Sequence, residues 1–193
     1  SLVNILHSDA AGLIEKDRDF VVTARERHAY VRQGGAGYGG RALRTDDYLL
    51  IKNYNPEAWP AGQPPLFGDV DAHMLQYPAA TKMYMLENRE DQAVKPLFEL
   101  AFGKRPAIEL FDLKKDPEQI TNVADDPAYA KVKAELQARL VSHLRATGDP
   151  REIGESFDWD ASEYYMEGDK RPRPSQKAID ALGLEEEYDY TIE

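Results

Sequence analysis

Between residues 107 and 147 the apolar positions change period once, and that change predicts a strand followed by a helix. Ile108, Leu110 and Asp112 alternate with Glu109, Phe111 and Leu113, a period of two that predicts a short, half-buried strand. Asp116-Pro117 predicts a turn. Tyr129, Val132, Leu136, Leu140 and Leu144 then recur at spacings of three and four, so one apolar stripe of a long helix faces a core. Asp126 followed by Pro127 marks its start, and Gly148 and Pro150 mark its end. His143 falls in the last turn, off the stripe, where a cation suits the helix dipole.

Upstream, residues 2–6 are apolar enough to finish a helix, and β-prone Phe20-Val21-Val22-Thr23 opens a strand over 19–30. Residues 41–44 and 48–54 predict a hairpin around Asp46-Asp47, with Leu49 and Ile51 on one side and Tyr48, Leu50 and Lys52 on the other. A proline-rich loop follows over 55–68, with Trp59 as its expected anchor. Helices are predicted over 79–89, with Met83 and Leu86 on one face, and over 92–102, ended by a glycine cap at Gly103. The fold class is therefore α+β: a small antiparallel sheet of about four strands packed by a long C-terminal helix. Residues 1–150 form the body. Residues 151–193 form an acidic, aromatic extended tail that wraps it.

Composition narrows the chemistry. The 193 residues carry a net charge of −11, which opposes nucleic acid and anionic membranes. No run of 18 apolar residues is present, so no membrane span is predicted, and the charged first 20 residues do not read as a signal peptide. With no cysteine, disulfides and a thiolate nucleophile are excluded within the chain. Against this background Arg25, Arg27, Arg32, Arg41 and Arg44, with His28, form a basic island. It reads either as a solvated strand pair or as a local anion site, because guanidinium groups bind sulfate, phosphate and carboxylate through paired hydrogen bonds. Gly35, Gly37 and Gly40 match G-x-G-x-x-G, but a dinucleotide site needs a helix directly after them, and Arg41-Ala42-Leu43-Arg44 predicts a strand. Asp69, Asp71 and His73 lie close together without further ligands at metal spacing, and a helix-capping turn explains them better.

Two segments carry a resemblance. Glu109-Leu110-Phe111-Asp112-Leu113, Asp116-Pro117-Glu118 and Thr121-Asn122-Val123-Ala124 are similar to the near-C-terminal signature of the sulfatase family, E-L-Y-D-L-x-x-D-P-x-E-x-x-N-L-A. Residues 41–51 look like the R-A-I-R-T-x-x-Y-K-L-I hairpin of the same family, and Ser1-Leu2-Val3 resembles the S-L-L that closes its catalytic domain. The Arg25-Glu26-Arg27-His28 stretch, with residues 53–62 and the Asp69/Asp71 pair, looks most like the heparan N-sulfatase (sulfamidase) branch.

The resemblance implies a C-terminal subdomain with a four-stranded antiparallel sheet and a long helix. It implies an N-terminal catalytic domain as partner, a sulfated saccharide as substrate, and a periplasmic or extracellular location. It also implies formylglycine and calcium as cofactors, both outside this chain, since no cysteine is present and no serine begins an S-x-P-x-R motif. The chain is expected to be inactive alone. Arg27 and His28, then Arg25, then Asp69 and Asp71, are the expected substrate contacts. The alternative is a non-catalytic carbohydrate-binding or protein-interaction domain with a sulfatase-like fold.

Overall fold

The computed structural model describes residues 2–26, 32, 36–65, 67–68, 80–154 and 180. Four strands, β1 (Val21–Arg25), β2 (Gly40–Arg44), β3 (Tyr48–Asn53) and β4 (Ile108–Asp112), form an antiparallel sheet in the order β1-β2-β3-β4. The helices are α1 (Val3–Leu6), α2 (Ala80–Glu87), α3 (Lys95–Phe102), α4 (Ala130–Ala146) and α5 (Pro150–Ile153). The hairpin forms as the alternation predicts, with Leu43 opposite Leu50 and Leu50 opposite Leu110. In its turn the Thr45 hydroxyl accepts from the Asp47 and Tyr48 amides at 3.3 and 3.0 Å. Gly40 opens a strand, so the glycine run has no helix to receive a dinucleotide.

The apolar stripe of α4 packs on the sheet. Leu136, Leu140 and Leu144 meet Leu43, Leu50, Leu110 and Ala124, and Tyr129 and Val132 extend the contact. Leu43, Leu50 and Leu110 have no exposed surface, which places the core at the centre of the sheet. The Asp126 carboxylate caps a short 3-10 turn, Pro127–Tyr129, by accepting from the Ala128 amide at 2.8 Å, and the α-helix proper follows. Gly148, at φ +74°, ends the helical run in the left-handed conformation expected of a terminal glycine. His143 sits edge-on to the ring of Phe20, 5.4 Å between centroids.

A second core gathers the proline-rich loop and the middle helices: Ala61, Phe67, Met83, Leu86, Phe98 and Phe102, with Trp59 half-buried against it. Trp59 meets Phe67 edge-on at 5.5 Å, as an anchor should, but the loop has a second tether. Buried Arg32 donates to the carbonyls of Trp59 (2.7 Å) and Pro60 (2.6 Å).

Two expectations change. Strand β4 is not half-buried: Glu109, Leu110, Phe111 and Asp112 are all buried. The chain after the turn folds back along its outer edge. There the Leu110 amide donates to Asn122 Oδ1 (2.9 Å), and the Val123 amide donates to the Leu110 carbonyl (2.8 Å). The edge is thereby covered. Gly103 does end α3, but with extended backbone (φ −61°, ψ 153°) rather than a left-handed cap. Its glycine is required by proximity, since a Cβ there would lie 2.5 Å from the Glu99 carbonyl oxygen.

Truncating the centre of the α4 stripe tests this core. Leu140→Ala should cost about 2–5 kcal/mol, the range for a fully buried leucine, measured by urea denaturation. A loss below about 1 kcal/mol would show that the helix does not seal the sheet.

Candidate functional site

Because side chains alternate across a sheet, packing Leu43, Leu50 and Leu110 against α4 turns a second set of residues to the opposite face. The pairing aligns two rows of them. Thr23, Ala42, Ile51 and Glu109 form one; Arg25, Gly40 and Asn53 form the next. Together with Tyr38, Pro60 and Arg105 they line a cleft of ≈ 250 Å³. The proline-rich loop reaches its rim, where Arg25 Nη2 donates to the Pro60 carbonyl at 3.4 Å. Arg105, after α3, also lines the cleft and donates to the Leu100 carbonyl.

The cleft has an acidic element that sequence pattern alone does not single out. Glu109 is buried, and Asn53 Nδ2 donates to its Oε2 at 2.9 Å while also donating to the Pro106 carbonyl at 2.8 Å. Burial, and then the negative charge of Glu109, push the Tyr38 phenol above its ordinary pKa, so it stays protonated at neutral pH. The signal available in the sequence is parity: Glu109 alternates with Leu110 and must face away from the helix. Without the fold it reads only as part of the family signature.

The rest of that signature is structural. Asp112 accepts from the Lys114 and Lys115 amides (both 3.2 Å) and from the Tyr129 hydroxyl (2.9 Å). Asp116 accepts from the Thr121 amide at 2.7 Å. Asn122 Oδ1 accepts from the Leu110 and Ala124 amides at 2.9 and 3.0 Å.

The basic island does not converge on one anion. Arg41, 2% exposed, pairs with Glu26 and Asp149, both at 2.7 Å. Arg32 is engaged with loop carbonyls. Arg44 is exposed. Arg25 lines the cleft. Of the five expected contacts, Arg25 alone is among the described residues; Arg27, His28, Asp69 and Asp71 lie outside them, as does His73. Among the described residues no three His, Asp or Glu side chains gather as a cation site would need.

At the end of the sheet the Arg41 pairs extend into a network. Arg151 binds both oxygens of Glu26 (2.8 and 2.6 Å for the closest atoms), and its guanidinium lies where a side chain on Gly39 would otherwise be. Glu152 accepts from Lys52 and from the Tyr54 hydroxyl, the latter at 2.6 Å. Asp149-Pro150, which in the sequence marks only a helix stop, is also a helix start: Asp149 Oδ1 accepts from the Arg151 amide at 3.1 Å while Oδ2 holds Arg41.

No protein-family model matches the chain. The chain resembles a sulfatase over 116 residues: it is 28% identical there to the ulvan-active sulfatase of Formosa agariphila, a match that takes in 60% of this chain. It spans 18% of the length of that relative. Two solved structures overlap it at low similarity. A 2-O GAG sulfatase gives 20% identity and a TM-score of 0.38 over 70% of this chain and 18% of its own. A Bacteroides thetaiotaomicron protein assigned as a sulfatase gives 20% identity and a TM-score of 0.43 over 79% and 21%.

The network predicts an acid limb. Burial alone would raise the Glu152 pKa, but the Lys52 and Tyr54 donors outweigh it, and the folded value lies below the ordinary 4.5. A depressed carboxylate contributes stability that is complete above about pH 4.5 and is lost as pH falls through the folded pKa. Glu152→Gln should therefore lower stability by about 1 kcal/mol at pH 7, with the difference from wild type closing as pH falls below 4.5 through the folded pKa. A constant difference in urea midpoints across this range would show that the charge of Glu152 is not what matters.

Proposed function

We propose that the chain is the C-terminal portion of a sulfatase acting on sulfated glycans, and that it completes one wall of the substrate pocket. The observation that carries this is the partial match: 60% of the chain aligns with 18% of a sulfatase. The two motifs at 41–51 and 109–124 support it, since they supply β2, β3, β4 and the turn that holds β4 in place.

In this reading the bond-breaking groups lie on a catalytic domain outside these residues. The chain has no cysteine and no S-x-P-x-R run from which formylglycine is made. Its described residues do not fit a calcium site either, so no chemical step is assigned to calcium here. The contribution of this chain is positional. Arg25, with Arg27 and His28 directly after β1, presents cations to a sulfate or carboxylate group, and Asp69 and Asp71 are secondary contacts to sugar hydroxyls. Bidentate guanidinium bonds select such anions by geometry as well as charge. The enzyme would be periplasmic or extracellular. Among the described residues no helix is long and apolar enough to cross a membrane.

Two measurements test the proposal. The pure chain should give no turnover of an aryl sulfate; measurable hydrolysis would place the chemistry within it and overturn the division of labour. Arg27→Ala and His28→Ala should each shorten retention on immobilised heparin, and unchanged elution would remove them from the pocket wall.

A further inference from the structure

The long helix carries a second row of side chains that the core does not use. Leu136, Leu140 and Leu144 face the sheet. Ala138, Val141, Ser142 and Arg145 recur at helical spacings on a neighbouring face, and with Gln137 they line a groove of ≈ 620 Å³. Ala138, Ser142 and Arg145 are exposed, and Gln137 and Val141 are half-buried. Ala138 and Val141 make the floor apolar, and Arg145 puts a cation at the end nearest the helix C-terminus. Among the described residues the Arg145 guanidinium has no hydrogen bond or ion pair, although the Glu152 carboxylate lies near enough to feel its charge.

The chain returns to this end of the helix. The Asp149 amide donates to the Leu144 carbonyl at 2.8 Å, Arg151 grips Glu26, and Glu152 accepts from Lys52 and Tyr54. These bonds fix α5 beside the last turn of α4. Gly154, at φ +77°, ends α5 in the left-handed conformation. The sequence runs on from that fixed point as Glu155-Ser156-Phe157-Asp158-Trp159-Asp160.

Reach and pattern both suit this segment to the groove. Residues 155–159 span up to about 17 Å when extended, and the groove from Arg145 to Ala138 is about 10 Å of helix. Aromatic and acidic residues alternate in the segment, so in extended form Phe157 and Trp159 share one side and Asp158 and Asp160 the other. An apolar floor with a cation at its rim takes such a pattern. The rings bury against Ala138 and Val141 while a carboxylate meets Arg145. A second copy is a poorer occupant, because chains of net charge −11 repel one another. A tethered segment, by contrast, is held at high local concentration.

We propose that this groove seats Phe157-Asp158-Trp159-Asp160 and so docks the start of the C-terminal tail along α4. The docking does not depend on the sulfatase reading. It places the first residues of the tail on the helix side of the sheet, opposite the cleft.

The chain has no cysteine, so a pair introduced by Ser142→Cys and Asp158→Cys either closes on itself or links two chains. Ser142 is exposed and outside both cores, which keeps the fold intact. Under mild oxidation of the full chain the pair should form an intramolecular disulfide, read as loss of both thiols in a monomer on a non-reducing gel. Adding Phe157→Ser and Trp159→Ser keeps the tether but removes the rings, and should slow closure by about tenfold. Equal closure rates with and without the rings would overturn the docking, as would failure of either chain to close. Covalent dimers as the main product would overturn it in favour of a second copy on the groove. In the cysteine-free chain, Ala138→Asp should shift Trp159 emission to longer wavelength, with Trp159→Phe marking the contribution of Trp59. Unchanged emission would also overturn the seat.

Discussion

Arg41 is buried within a β-strand, and a guanidinium cannot shed its proton there. Burial disfavours that charge, yet the Asp149 and Glu26 carboxylates hold it above its ordinary pKa. Those two partners lie far apart in sequence. Glu26 directly follows β1, and Asp149 follows α4. The requirement to neutralise one cation therefore ties the first strand, the second strand and the end of the long helix to a single point. Removing either carboxylate would leave a buried charge short of a partner, which is costlier than losing a surface pair.

That point lies at one end of the sheet, and the cleft begins nearby on the other face. Arg25 pairs with Gly40, directly before Arg41, and its carbonyl accepts from Arg41 Nη1 at 3.3 Å. The register that places Arg25 beside Asn53 is thus held from behind by the ion pairs. The two faces of the sheet divide the work. Leu43, Leu50 and Leu110 supply cohesion with α4, and Arg25, Asn53 and Glu109 offer polar groups to the cleft. Loop residues complete the arrangement, with Arg32 fixing Trp59 and Pro60 by their carbonyls.

Much of this is legible in the sequence. The hairpin, β4, α4 and the buried Met83 and Leu86 follow from periodicity, because burying one face imposes that period on the chain. The α+β class follows from the same patterns. The roles of the arginines do not. Arg25, Arg32 and Arg41 look alike in sequence, but one lines a cleft, one grips a loop and one is buried between carboxylates. Only tertiary partners distinguish them, and those partners are up to 108 residues away. Gly103 is legible as a helix end but not for its actual reason, because steric proximity to Glu99 leaves no trace in local pattern. Tyr38 and Glu109 escape for a similar reason: a buried hydroxyl without a partner among the described residues, and a buried carboxylate held by Asn53, are properties of a packed neighbourhood.

The side chains of Asp112, Asp116 and Asn122 mainly hold main-chain amides, fixing a path rather than a reaction. A signature of this kind says little of the cleft, which Glu109 alone among its residues lines. Chains that carry it can share the strand, the turn and the covered edge while differing at the other positions that line the cleft. Searches keyed on the motif then retrieve architecture. Sorting the retrieved chains by what they recognise requires reading positions outside it.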